Sequence, residues 1–287
     1  MPWTPRALAL RLLLGAEAQG DGALGVRELL ASCALFGLAE NRVRVALARA
    51  TAAGLLVTPR RAAYALGPAA QPLADAARQW RQLPAQVREW NGGWLAVHVG
   101  AAGRSDRAAL RSRERAFGVL GLAELERGLQ VRPDNLADGA DGLRNRLRAL
   151  LPTGVAAGTV FALHSLSAAE DRVARGLWNG AALNAGYRHT TARLSAWLDD
   201  ARTQALEDAA REAFELGHQA IRQLVFDPWL PAPLIDAAAR RRCVAAVRRH
   251  DDIGQSIWRQ YLGAVRTNSP VRTRPALPRK PALEALR

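Results

Sequence analysis

Two groups of residues in this 287-residue chain carry side chains suited to binding or catalysis. The first is basic. Asn41, Arg42, Arg44 and Arg49 fall within one short stretch, and Arg60 and Arg61 follow Pro59 between two apolar runs. A guanidinium offers a planar fork of donors that matches phosphate oxygens and the guanine edge, so this group suits duplex DNA. The second is acidic: His250-Asp251-Asp252 and Asp199-Asp200. Carboxylates beside a histidine could bind a metal or move protons. On a helix, however, adjacent residues point about 100° apart, so both pairs read as solvated helix surface. No metal site, cofactor or catalytic residue is expected, and the chain reads as a non-enzyme. A metal-dependent nucleic-acid-processing enzyme and an effector-free nucleic-acid scaffold stand as the alternatives.

The charge balance favours the basic group. Lys and Arg number 40 against 26 Asp and Glu, a formal +14, with an isoelectric point near 11.4. Lys280 is the single lysine, and Arg in an Ala-, Leu- and Gly-rich background is the composition that a GC-rich genome produces. Codon bias supplies arginines but does not explain why acids fail to balance them, and an uncompensated surplus attracts polyanions. It is uneven along the chain. Residues 1–68 carry +4 and residues 266–287 carry +5.

Those residues need elements to position them. The length is that of roughly two domains, with three small ones also fitting. Cys33 and Cys243 lie far apart with no neighbouring cysteine, which excludes a disulfide framework and a cysteine-based zinc site and fits a reducing compartment. Arg11 interrupts the one N-terminal apolar stretch that resembles a secretory signal. No run approaches the roughly 18 apolar residues that span a bilayer, so no membrane partner and a cytoplasmic location are expected.

The expected class is a helix-rich α+β fold. Residues 1–68 read as helices over 6–14, 26–35 and 39–53, then two short strands around Pro59-Arg60-Arg61, the order of a winged helix-turn-helix DNA-binding domain. In the third helix, Val43, Ala46, Leu47 and Ala50 form a core stripe, leaving Asn41, Arg42, Arg44, Val45, Ala48, Arg49 and Ala52 towards a groove. Residues 69–89 read as a helical connector. Residues 90–166 alternate strands (94–99, about 125–132, 159–164) with helices (106–117, 142–151), which suggests a small ferredoxin-like α/β module. Its first strand ends Val97-His98-Val99-Gly100, offering no carboxylate to a metal-dependent nuclease of that fold. Residues 167–265 read as helical, with a Pro-rich break at 226–233. Aromatics concentrate there, and Trp178, Tyr187, His218, Arg222, Asp227 and Trp229 are candidates for a small-molecule pocket. Residues 266–287 read as a disordered basic tail that either adds phosphate contacts or is solvated chain end.

Several stretches together resemble the phenylacetate-degradation repressor (PaaX-type) family. They are Leu38-Ala-Glu-Asn-Arg-Val-Arg-Val-Ala-Leu-Ala-Arg through Leu56, Trp90-Asn-Gly-Gly-Trp94, Arg115-Ala-Phe-Gly-Val-Leu-Gly121, Leu177-Trp-Asn-Gly-Ala-Ala-Leu-Asn-Ala-Gly-Tyr187, and His218 through Phe226-Asp-Pro-Trp-Leu-Pro231. The resemblance implies a homodimeric transcriptional repressor on palindromic double-stranded DNA, released by an acyl-CoA effector. It places Asn41, Arg42, Arg44 and Arg49 in the recognition helix, and His218, Arg222, Asp227 and Pro228 in the C-terminal motif. The chain departs from the family after Pro231, where Leu234 to Arg242 replaces a Trp-Pro-Gly element.

Overall fold

The computed structural model describes residues 3–18, 20, 22–71, 74–75, 80–100, 106–267 and 275. The expected tail therefore lies almost wholly outside the described residues, as does part of the expected connector. Where the connector is described, residues 71, 74 and 75 are helical, with 3-10 turns at Pro68–Ala70 and Trp80–Gln86. Pro84 sits inside the second and has no N–H to extend a helical ladder. The chain is a helix-rich α+β protein that divides into two compact units.

The first unit comprises Met1–Trp80, Arg193–Gln219 and Ala246–Arg287. It opens with α1 (Pro5–Ala18), β1 (Leu24–Gly25), α2 (Val26–Ala34), α3 (Glu40–Ala52), β2 (Leu56–Val57) and β3 (Ala63–Leu66). The strands pair antiparallel in the order β1-β3-β2. Apolar spacing explains the helices. Leu8, Leu12 and Leu13 of α1, Leu29 and Cys33 of α2, and Val43, Leu47 and Ala50 of α3 recur at helical intervals and are all buried. Each buried leucine contributes about 1.5–3 kcal/mol relative to an exposed one. Between α2 and α3 the chain reverses at Gly37, whose φ of +70° suits glycine, and Leu38 N–H donates back to the Cys33 carbonyl at 3.2 Å.

This core is not closed by the N-terminal elements alone. Three long helices, α7 (Gly180–Asp200), α8 (Leu206–Val225) and α9 (Ala237–Thr267), contribute Trp197, Ala209, Ala213, Ile257, Trp258 and Tyr261 to the same cluster. Phe36, in the turn after α2, packs edge-on against Phe214 of α8 at 5.3 Å, and Trp3 packs against both. At the start of α2, Glu28 pairs with Arg266 of α9 at 2.6 Å.

The second unit comprises Arg81–Ala192 and Ala220–Ala245. Its elements are β4 (Trp94–His98), α4 (Arg107–Val119), β5 (Ala123–Glu126), β6 (Leu129–Pro133), α5 (Gly139–Leu150), β7 (Thr159–Leu163) and α6 (Ala168–Arg175), followed by parts of the three long helices. The sheet is antiparallel in the order β5-β6-β4-β7, with Ala96 opposite both Val131 and Phe161. Because strand side chains alternate, the sheet buries both faces. Leu95 and Val97 face Phe117 of α4 and Leu143 and Leu147 of α5. Trp94, Ala96 and Val131 face Ala174 of α6, with Leu177 and Trp178 beyond it. Asp106 caps α4, accepting from the N–H groups of Ala108 and Ala109.

The stretch read as a single strand over about 125–132 is a hairpin, β5 and β6. Gly128 takes a φ of +82° in the turn and donates its N–H to the Glu124 carboxylate at 3.0 Å. Leu125, Leu129 and Val131 keep the same two-residue spacing on both sides of Arg127-Gly128, so the alternation hides what one left-handed glycine does.

Candidate functional site

The basic group assembles within the first unit. Along α3, burial of Val43, Leu47 and Ala50 turns Asn41, Arg42, Val45, Ala48, Arg49 and Ala52 to the exterior. Val45 is 45% exposed, an apolar side chain on a face otherwise small or cationic. Arg44 is also exposed, and its guanidinium pairs with Glu40 one turn earlier at 2.7 Å, so its charge is partly compensated. Arg42 and Arg49 have no acidic partner among the described residues. Arg60 and Arg61 are exposed in the β2–β3 turn, which folds back through an Ala63 N–H to Arg60 carbonyl bond of 3.2 Å and a left-handed Ala62. A small-residue helix face flanked by guanidinium groups can enter a major groove, and a basic hairpin turn can follow phosphates.

The six C-terminal candidates are not brought to one place. Tyr187, Asp227 and Trp229 meet in the second unit. Tyr187 Oη donates to Asp227 Oδ2 at 2.6 Å, and the Trp229 N–H donates to Asp227 Oδ1 at 2.7 Å. Trp229 indole N–H donates to the Leu224 carbonyl at 3.2 Å. Asp227 is 3% exposed. Burial pushes its carboxyl above the usual carboxylate range, and the Tyr187, Trp229 and Arg240 interactions oppose that shift. Burial, followed by the Asp227 charge, raises the Tyr187 phenol far above its ordinary value. Trp178 stands apart, stacked on Trp94 at 6.1 Å and 7°. The Arg222 guanidinium lies 5.1 Å from the Phe226 ring centroid. His218 belongs to the first unit, with Nδ1 2.8 Å from an Arg11 nitrogen and its ring 5.1 Å from Trp3.

Residues that sequence reasoning missed complete the Asp227 network. Arg240 is 8% exposed, donates to the Leu230 carbonyl at 2.6 Å, lies 4.0 Å from Asp227 Oδ1 and 5.1 Å from the Trp229 ring centroid. Asn135 donates to the Trp229 carbonyl at 2.7 Å and accepts from Arg132 at 3.0 Å. Arg132 also donates to the Leu120 carbonyl. One signal for Arg240 was available: it precedes buried Cys243, Val244 and Val247 at helical intervals of three, four and seven. Gly121 shows how closely the motif is approached, since a Cβ there would lie 2.6 Å from the Pro228 carbonyl oxygen. The polar groups of this motif are directed at one another and at backbone carbonyls, which fixes the backbone of 226–231.

The acidic group has no shared geometry. His250 is buried against Trp197, Asp251 accepts from Gln255 within α9, and Asp199, Asp200 and Asp252 are exposed. Among the described residues no three His, Cys, Asp or Glu side chains are grouped to hold a metal. Cys33 and Cys243 are buried free thiols, which burial pushes up to about 12 and about 11. Among the described residues no helix is long and apolar enough to cross a membrane.

Comparison with known proteins adds to this geometry. No curated protein matches the chain. Among solved structures it is similar to the uncharacterized protein Rv0674 from Mycobacterium tuberculosis, at 26% identity and a TM-score of 0.56, covering 88% of this chain and 99% of that one. Residues 178–260 match the family described as PaaX-like protein C-terminal domain, a stretch that contains Tyr187, Asp227, Trp229 and Arg240. Residues 178–260 are thus similar to the C-terminal domain of PaaX-like proteins.

Proposed function

We propose that this protein is a sequence-specific DNA-binding transcriptional regulator, a dimeric repressor that binds a palindromic operator and is released by a small acyl-CoA-like effector. The observation that carries the reading is the outward face of α3, where Arg42 and Arg49 flank exposed Val45, Ala48 and Ala52. The three-helix arrangement with strand order β1-β3-β2 supports reading residues 1–68 as a winged helix, with α3 in the major groove and Arg60 and Arg61 on the adjacent backbone. The β-α-β-β-α-β order and the strand order β5-β6-β4-β7 support a ferredoxin-like reading of the middle region. The similarity of residues 178–260 to a PaaX-like C-terminal domain supports the repressor role and counts against an enzyme. In a dimer, two copies of α3 would read half-sites about 34–36 Å apart.

Gel shifts with duplexes from the protein's own gene neighbourhood test this at physiological salt. Binding to an inverted repeat that outcompetes random duplex supports it, and equal affinity for any duplex overturns it. Replacing Arg42 by Ala relaxes sequence preference at a cost of about 1–3 kcal/mol, whereas replacing Arg60 by Ala weakens all duplexes alike and lowers the salt slope by about one.

A further inference from the structure

Of the residues that the sequence offers for an effector site, Tyr187, Asp227 and Trp229 hydrogen-bond to one another or to a backbone carbonyl, and the second unit holds an open cavity elsewhere. It has a volume of about 570 Å³ and lies between the last turns of α5, the 152–158 loop and the start of β7. Leu151, Val155, Ala157 and Val160 give it an apolar wall continuous with the core beneath the sheet. Arg144 and Arg148 also line it, together with Thr153 and Thr159. Spaced four apart on α5, the two arginines share one helix face. Arg144 is held in place by Asp141 and by a 3.2 Å bond to the Val160 carbonyl. Arg148 is exposed and contacts Asn145 at 3.4 Å, a length at which a hydrogen bond is weak. The loop's path is built in. Gly158 has a φ of +97°, and a Cβ there would lie 2.6 Å from the His98 carbonyl oxygen, so a larger residue would push the loop off β4.

We infer that this cavity binds a small amphipathic anion, with Arg148 and Arg144 meeting a carboxylate or phosphate and the Leu151–Val155–Ala157–Val160 wall meeting its apolar part. The volume falls within the range of about 300–1,000 Å³ usual for small-molecule sites. Asp141 partly compensates Arg144, and the Arg148 guanidinium outweighs the partial negative charge at the C-terminal end of α5. As a site for the effector, the inference rests on the ligand-responsive reading above. As a binding site it stands alone.

Calorimetric titration of the full chain with hexanoate, hexyl phosphate and the neutral hexanamide tests it. At least one anion binds, the better one identifies the head group, and hexanamide binds about tenfold or more weakly. Arg148→Glu weakens the anion by about tenfold or more while leaving the thermal unfolding midpoint near wild type. Thr153→Trp, which fills the cavity without touching charge, also abolishes binding. No heat with either anion, equal binding of hexanamide, or an unchanged Arg148→Glu titration overturns the inference. Gel shifts on the same samples separate the two readings. Anion binding without specific DNA binding removes the regulator and keeps the site, and specific DNA binding without anion binding does the reverse.

Discussion

Lowering the pH from about 7 to about 5 should destabilise the first unit through a single side chain, His250. The ring is 1% exposed, packed at 4.5 Å between centroids against Trp197, with Gly217 on its other side. Neither ring nitrogen has a hydrogen-bond partner among the described residues. Burial therefore disfavours the imidazolium and pushes its pKa down to about 4. In the unfolded chain a histidine titrates near 6.5, so between those values the unfolded state holds a proton that the folded state excludes, and stability falls as pH falls. The full displacement is worth about 3 kcal/mol, of which about 2 kcal/mol is lost between pH 7 and pH 5. Urea unfolding followed by tryptophan emission suits the measurement, because Trp197 touches the ring. The other histidines contribute equally to wild type and to His250→Leu, so the difference between their pH dependences isolates this residue. Wild type should lose about 2 kcal/mol more than His250→Leu over that interval. If both lose the same amount within about 0.5 kcal/mol, His250 is not a buried neutral group and the packing assigned to α9 is wrong.

The Asp227 network gives further expectations. Arg240→Ala leaves the buried carboxylate without its nearby cation and should cost about 3–5 kcal/mol in chemical unfolding. Tyr187→Phe removes one hydrogen bond to the same carboxylate and should cost about 1–3 kcal/mol by the same measurement. Gly121→Ala places a Cβ against Pro228 at a φ of +68°. It should lower the thermal midpoint by more than an exposed Gly→Ala change such as Gly118, where a Cβ meets nothing within 4 Å. In the first unit, Leu47→Ala should cost about 2–5 kcal/mol, since the residue is 1% exposed in the shared core.

What the sequence made legible was what periodicity controls. Val43, Leu47 and Ala50 repeat at helical intervals, so the buried and exposed faces of α3 could be read without coordinates. Strand β4 was legible because Trp94 to Val97 is an uninterrupted apolar run. The β5–β6 hairpin was not, because its turn rests on the backbone conformation of Gly128 rather than on composition. The Asp227 motif was half legible. Its residue types announced buried polar groups among aromatics, but that Tyr187 reaches Asp227 across 40 positions, with Arg240 and Asn135 closing the set, is a tertiary fact. The sharing of the N-terminal core with Trp197, Ile257 and Tyr261 likewise carries no local signal.

Selection of duplexes from a random pool by the full chain at physiological salt measures whether this protein reads DNA sequence. The retained sequences should converge on an inverted repeat, and Arg42→Ala should blur that convergence without unfolding the protein. Retained duplexes with no common sequence, or a consensus indifferent to Arg42, Arg49, Arg60 and Arg61 alike, would contradict the proposed function.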